Sequence, residues 1–380
     1  MSNQPEIHFA IGDAAPSVRP DEGVWSAPLP QNRSGISANG PGDGVQCGDY
    51  LTAVGEFISR DGFRMLSAAA SRLTRADLTP GDLDSIIVRL VKHGAFYHPV
   101  KLEVSAGKHV AHLVVNGAVS DVGREGIGQE YRNLQRLASV AGRWIPEVFG
   151  RGECTTPAGH PVSLFLAEWI EGFCEFHLTG DSGAIVVWDP ERGNYHLTGD
   201  VLKRVYAEAA RILTLCYDIE TFEQVFPWHH ASGDFVVRHR DGLPEVRLIT
   251  VRGYVALIDN PDRDEAIVLQ ALLVFLLNLS IRMRLDRLDG TGSVAWAGPF
   301  VLEAVVCGFF RGLAQKSDSR WIDRPLVDAF REHILDWSPT ELLELAAPLA
   351  EAFPVQQADL PVIRDHLESH VHELHRLLIA

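Results

Sequence analysis

The sequence predicts an α+β protein built in two parts: a strand-rich stretch carrying one helix, then a longer, mainly helical stretch with one inserted hairpin. Three features point there. Between about 95 and 167, short runs alternate apolar and polar residues, the period of a half-buried strand. Beyond about 200, apolar residues recur at helical spacing. At 235–250, two apolar runs flank Asp241-Gly242-Leu243-Pro244, a turn sequence.

Taken in order, residues 1–47 are rich in Pro, Gly, Ser and Asn without a sustained apolar period, and are expected to form a disordered tail. A helical extension follows at 48–94. "YLTAVGEFISRDGFRMLSAAASRL" places apolar residues at helical spacing, and "TPGDLDSIIVRLVKHG" opens with a Thr-Pro start signal for a second short helix. "VKLEVSA" and "HVAHLVVNGAV" alternate around Gly107-Lys108 and read as a hairpin. "GQEYRNLQRLASVA" is helical, with Tyr131, Leu134 and Leu137 on one face. "PEVFGRGE", "VSLFLAEWI" and "AIVVWD" are extended. "GDVLKRVYAEAARILTLCYD" is a long amphipathic helix, and four or five further helices run to the end.

Bulk properties narrow the function. A net charge of -16 disfavours non-specific binding to nucleic acid or an anionic membrane. The five cysteines (Cys47, Cys154, Cys174, Cys216, Cys307) contain no CxxC pair, which argues against a zinc finger or disulfide framework and fits a reducing cytoplasm. No basic n-region followed by an apolar run opens the chain, so no secretory signal is visible. "AIVLQALLVFLLNLSI" is short for a membrane span, carries Gln270 and Asn278, and is expected to be a buried helix.

Four stretches carry a resemblance. "VAHLVVNGAV", "GQEYRNLQRL", "FLAEWIEG" and "WHHASGDFVV…VRLITV", in that order, resemble the protein-kinase-like superfamily on its aminoglycoside-phosphotransferase side, over roughly 95 to 315. The resemblance implies a bilobal fold: a small antiparallel β-sheet lobe with one helix at 95–167, and a large, mainly helical lobe at 168–380. It also implies ATP between the lobes with Mg2+, and a small-molecule or other hydroxyl acceptor. Strand-to-strand matching puts Asn116 where the family carries its nucleotide-binding lysine, and Glu130 at the glutamate that pairs with it. Glu168 and Trp169 fall at the hinge that holds adenine. His229 falls at the catalytic aspartate, Asp234 at the loop asparagine and Thr250 at the second metal-binding aspartate. A second register makes Asp234 the catalytic aspartate and Asp259, in "YVALIDN", the metal ligand. The first register lets FVV pair with VRLIT; the second restores two carboxylates. Asp234 is central to both.

Each candidate has an ordinary alternative. His229 and His230 are adjacent, so in extended chain only one faces a given side. That one is a general base near neutral pH, or a ring that shapes the loop by bonding a backbone group. Asp234 needs a metal, a basic side chain or backbone N–H groups as partner; an Asx turn would serve as well. Glu130 would pair with an arginine such as Arg252 or be solvated, and Arg247 and Arg252 flank the Leu-Ile-Thr strand, where they could hold phosphate or neutralise local acids. Trp169, Phe173, Phe176 and His177 form an aromatic wall for a flat ligand or internal core. Glu175 and His177 share one strand face, as metal ligands can. "GREGIGQE" offers a glycine-rich turn before a helix, with N–H groups free for an anion.

Two functions compete: an atypical ATP-dependent phosphotransferase, and a catalytically degenerate, pseudokinase-like binding or regulatory module, supported by the missing lysine. A His/Asp metal hydrolase is weaker, because no HExxH or HxH spacing is present. Nucleotide and small-molecule partners are expected, nucleic acid and membrane are not, and the oligomeric state is open.

Overall fold

A computed structural model of the chain describes residues 4–17, 22–29, 44–91, 97–180, 183–258, 264–316, 319–352 and 357–380. The fold is α+β and divides into two compact units, Met1–Arg136 with Pro146–Glu171, and Leu137–Ile145 with Gly172–Ala380.

The first unit is built on a six-stranded sheet. Its strands are β1 (Glu6–Ile11), β2 (Ser85–Leu90), β3 (Val100–Ala106), β4 (His109–Ala118), β5 (Val148–Thr155) and β6 (Pro161–Glu168). The spatial order is β1-β2-β3-β4-β6-β5, with β1 parallel to β2 and every other pair antiparallel. The expected hairpin around Gly107 is β3–β4, and Gly107 takes the left-handed φ of +56° that such a turn requires. A four-residue helix α1 (Glu22–Trp25) precedes α2 (Cys47–Thr74), whose Tyr50, Val54, Phe57 and Leu66 join Val88, Leu102, Leu113 and Leu164 in one core. At Arg60–Phe63, α2 leaves helical geometry, and Phe63 takes a φ of +64° while remaining buried. The last helix of this part, α3 (Asp121–Ala141), runs across the division between the units.

Three expectations change here. Residues 6–11 are not disordered tail but a paired strand, and Leu29, Val45 and Cys47 are buried in the core. "IHFAI" is too short for composition to outweigh its Pro- and Gly-rich surroundings. Residues 30–43 lie outside the described residues. Residues 85–90 are strand rather than helix. The Thr79-Pro80 start signal is real, but it caps a single 3-10 turn over 80–82, after which Ile86, Val88 and Leu90 alternate inward. The described part of the expected extension, 48–91, therefore shares one core with the sheet. Finally, "GREGIGQE" lies inside α3, so its N–H groups are not a loop anion site.

The second unit carries helices α4 (Gly199–Cys216), α5 (Glu265–Met283), α6 (Pro299–Leu313), α7 (Leu326–Ile334), α8 (Pro339–Ala352) and α9 (Asp359–Leu378). It also holds more sheet than expected. Strands β7 (Cys174–Thr179), β8 (Ala184–Val187) and β9 (Tyr195–Thr198) join β11 (Phe235–Arg240) and β12 (Leu243–Leu248) in the order β12-β11-β7-β8-β9. Two short ribbons complete it: β10 (Glu223–Val225) with β13 (Tyr254–Ala256), and β14 (Leu285–Arg287) with β15 (Val294–Trp296). Hairpin β11–β12 pairs Phe235 with Leu248 and turns at Asp241-Gly242, both at positive φ, 51° and 76°. That is the strand pairing on which the first of the two registers rests. Strands 109–118 and 235–248 lie in different sheets.

Among the described residues, α5 alone is long and apolar enough to cross a bilayer, and 83% of that apolar window is buried in protein. Its apolar residues cover every face because α4, α6, α7, α8 and α9 surround it.

Candidate functional site

The loop from Trp228 to Asp234 places three polar residues under tight local constraint. His229 opens a one-turn 3-10 helix, His230–Ser232, and its Nδ1 accepts the N–H of Ala231 at 3.0 Å. A ring whose Nδ1 accepts carries its proton on Nε2. That nitrogen faces Asp359 Oδ2 at 3.4 Å, and both side chains are buried. The turn closes at Gly233, with φ +67°; a Cβ there would lie 2.6 Å from the carboxyl carbon of Glu175. Only glycine meets both demands.

Asp234 follows, with no solvent exposure. Its Oδ2 accepts the N–H of His229 at 2.9 Å, and its Oδ1 accepts from Arg252 Nη1 at 2.6 Å. Its carbonyl accepts from Ile249, which ties the loop to the end of β12. The carboxylate is satisfied by one backbone donor and one guanidinium. Arg252, a sequence candidate for Glu130 or phosphate, is thus Asp234's partner. Thr250 is half-buried just past β12. Asp259 lies outside the described residues.

His230 points elsewhere. It is enclosed by Phe176, Tyr206, Trp228 and Phe235, with Nε2 3.1 Å from Met283 Sδ. Burial in that cage pushes it down to about 4, so it is neutral near pH 7.

Asn116, Glu130, Glu168 and Trp169 belong to the first unit. Asn116 sits on β4 opposite Phe165, half-buried. Glu130 is buried on α3. Glu168 ends β6, where its Oε2 accepts the Glu147 N–H at 3.4 Å. Trp169 donates its N–H to the His112 carbonyl and lies under Lys101, whose Nζ is 5.2 Å from the ring. Lys101 also pairs with Glu171 at 3.0 Å, and His112 lies 3.6 Å from the same carboxylate. Each residue of the expected aromatic wall has its own neighbours. Trp169 stacks with Lys101, Phe173 lies under Arg238 and Arg247, and Phe176 is core.

A second constellation gathers Glu175 and His177, paired in the sequence reading as possible metal ligands, with Asp286, which that reading missed. His177 is buried between Asp286, with Nδ1 to Oδ1 at 3.3 Å, and Glu175, with Nε2 to Oε2 at 3.9 Å. Asp286 also accepts the N–H groups of Leu178 and Arg287. Burial works to lower the imidazole, but its bonds and charge contacts with Asp286 and Glu175 prevail and raise it to about 9. It is an imidazolium held by two carboxylates, and so a poor metal ligand. Asp286 and Asp359 are distant in sequence from the residues they serve, and no local pattern marks them. Among the described residues, no three His, Cys, Asp or Glu side chains converge as a metal site.

No protein-family model matches this sequence, and no curated protein does. A solved structure described as WaaP in complex with acyl carrier protein aligns with 68% of this chain and 88% of that chain, at 15% identity and a TM-score of 0.32. At that identity and score, the likeness fixes neither fold nor activity.

Proposed function

We propose that this chain is a kinase-like binding module that lacks metal-dependent phosphoryl transfer. The element order supports the kinase-like part: hairpin β3–β4, helix α3 and strands β5–β6 in one sheet, then helix α4 and hairpin β11–β12 with a different sheet. One observation carries the non-catalytic part. Asp234, the acidic residue on which both readings of the loop converge, is fully buried and paired with Arg252. A magnesium ion takes about six oxygen ligands in near-octahedral array. Here the guanidinium stands where a cation would approach Oδ1, and Oδ2 is turned to a backbone N–H. Asn116 offers the phosphates no cation, and His229 has neither ring nitrogen open to a substrate proton. The described residues do not fit the ion.

A second reading has one observation in its favour. The Arg252 side chain is 28% exposed while that of Asp234 is 1% exposed, so the pair opens to water on the arginine side. A cation that displaced Arg252 would gain Oδ1, and the chain would then be an atypical phosphotransferase.

Thermal-shift titration separates the two. We expect ATP alone to raise the melting temperature, with magnesium adding nothing. A shift that requires ATP and magnesium together, accompanied by ADP release, would establish the phosphotransferase instead. No shift with nucleotide would remove ATP as the ligand of the module.

A further inference from the structure

We infer that Arg132 of α3 and Arg151 of β5 form an oxyanion clamp across Gly128, suited to a phosphate or terminal phosphomonoester. The two guanidiniums converge: each Nη1 lies 3.5 Å from the point a Cβ would occupy on Gly128, so the two nitrogens are no more than about 7 Å apart. Their supports are neutral. Arg132 donates to Gln129 Oε1 at 2.8 Å, and Arg151 lies 5.8 Å from the centre of the Tyr131 ring. Neither has a carboxylate within 4 Å among the described residues, although the chain carries 50 acidic side chains. About two turns before Arg132 on the same helix, Arg124 shows the usual outcome, an ion pair with Asp121 at 2.6 Å. Two like charges held this close, without a counter-charge, repel each other, and a tetrahedral oxyanion between them would relieve that repulsion while accepting from both. Glycine at 128 keeps the space open; at any other residue the side chain would enter it. The clamp lies wholly within the first unit and does not rest on the reading of the 229–252 loop.

The test is thermal shift of the full chain in inorganic phosphate, and separately in glycerol 3-phosphate, against sodium chloride at equal ionic strength. At ten times the dissociation constant, an upward shift of about 3 °C is expected. A larger response to glycerol 3-phosphate assigns the site to a phosphomonoester, and a larger response to inorganic phosphate to the free ion. R132Q and R151Q should each lose the response, although both side chains are on the surface and the fold should persist. G128D should lose it too, and should melt higher than the unsubstituted chain without phosphate, because its own carboxylate fills the clamp. Its Cβ meets only ordinary 3.5 Å contacts. A response no larger than that to chloride, or one retained in both arginine variants, overturns the inference.

Discussion

Asp234 shows how a single carboxylate reports on its surroundings. Removing Arg252 leaves a fully buried charge with only the His229 N–H as donor. Breaking a buried pair costs several kcal/mol. Water reaches the arginine side, so we expect R252A to lose about 2 kcal/mol. D234N/R252A, which no longer buries a charge, should be no less stable than R252A alone. Urea midpoints for both variants decide this, and a neutral R252A would mean the carboxylate has other support. The histidines add a pH signature. His177, raised to about 9, stabilises the fold fully below its unfolded value near 6.5, and that contribution is lost as pH rises towards 9. His230, lowered to about 4, and His370, pushed down to about 3 mainly by burial, act in the opposite sense. Each stabilises above about 6.5, and that stability is lost as pH falls through 6.5 towards those values. Stability should therefore peak near pH 6.5, and H177Q should flatten the alkaline limb alone. The sequence marked Asp234 as needing a partner and offered Arg252 for other duties. It could not join them, because nothing local records which side of the chain each side chain faces.

At the scale of elements, local patterns were legible where the signals agreed. Hairpin β11–β12 was, because Asp241-Gly242 and two alternating runs agree. Strand β2 was not, because a genuine capping signal at Thr79 preceded it and the 3-10 turn it starts ends after three residues. The packing of α4 on α6 was also hidden. Gly308 and Gly312 lie four apart on α6, and a Cβ at Gly308 would sit 2.1 Å from the Ala207 carbonyl oxygen of α4. At Gly312 it would meet Thr214 Cβ at 2.6 Å. Backbone cannot swing aside as a side chain does, so G308A must separate the helices. We expect a loss of about 3 kcal/mol. G142A provides the control: no atom lies within 4 Å of its new Cβ, and the change should stay within about 0.5 kcal/mol. Equal effects in denaturant titrations would show that the two helices repack freely.

For the whole molecule, the two compact units each own a core. The first is the α2-on-sheet core around Tyr50, Leu113 and Leu164; the second surrounds α5. A chain of 380 residues with two cores should not unfold as one two-state system. Against this stands the chain path, which crosses between the units at 136/137, 145/146 and 171/172, the first time within the continuous helix α3. Covalent crossings couple neighbours, but they do not merge cores. We therefore expect calorimetry to show two overlapping transitions, with a calorimetric enthalpy larger than the van't Hoff value. Substitutions can assign them. In the first unit, a Cβ on Gly117 would lie 2.2 Å from the Tyr50 hydroxyl, which donates to the His98 carbonyl, so G117A should lower one transition. In the second unit, H177Q should lower the other, and only below about pH 9, where the imidazolium is present. If both substitutions move a single peak by the same fraction at every pH, the units fold as one, and stability measured anywhere in the chain reports on all of it.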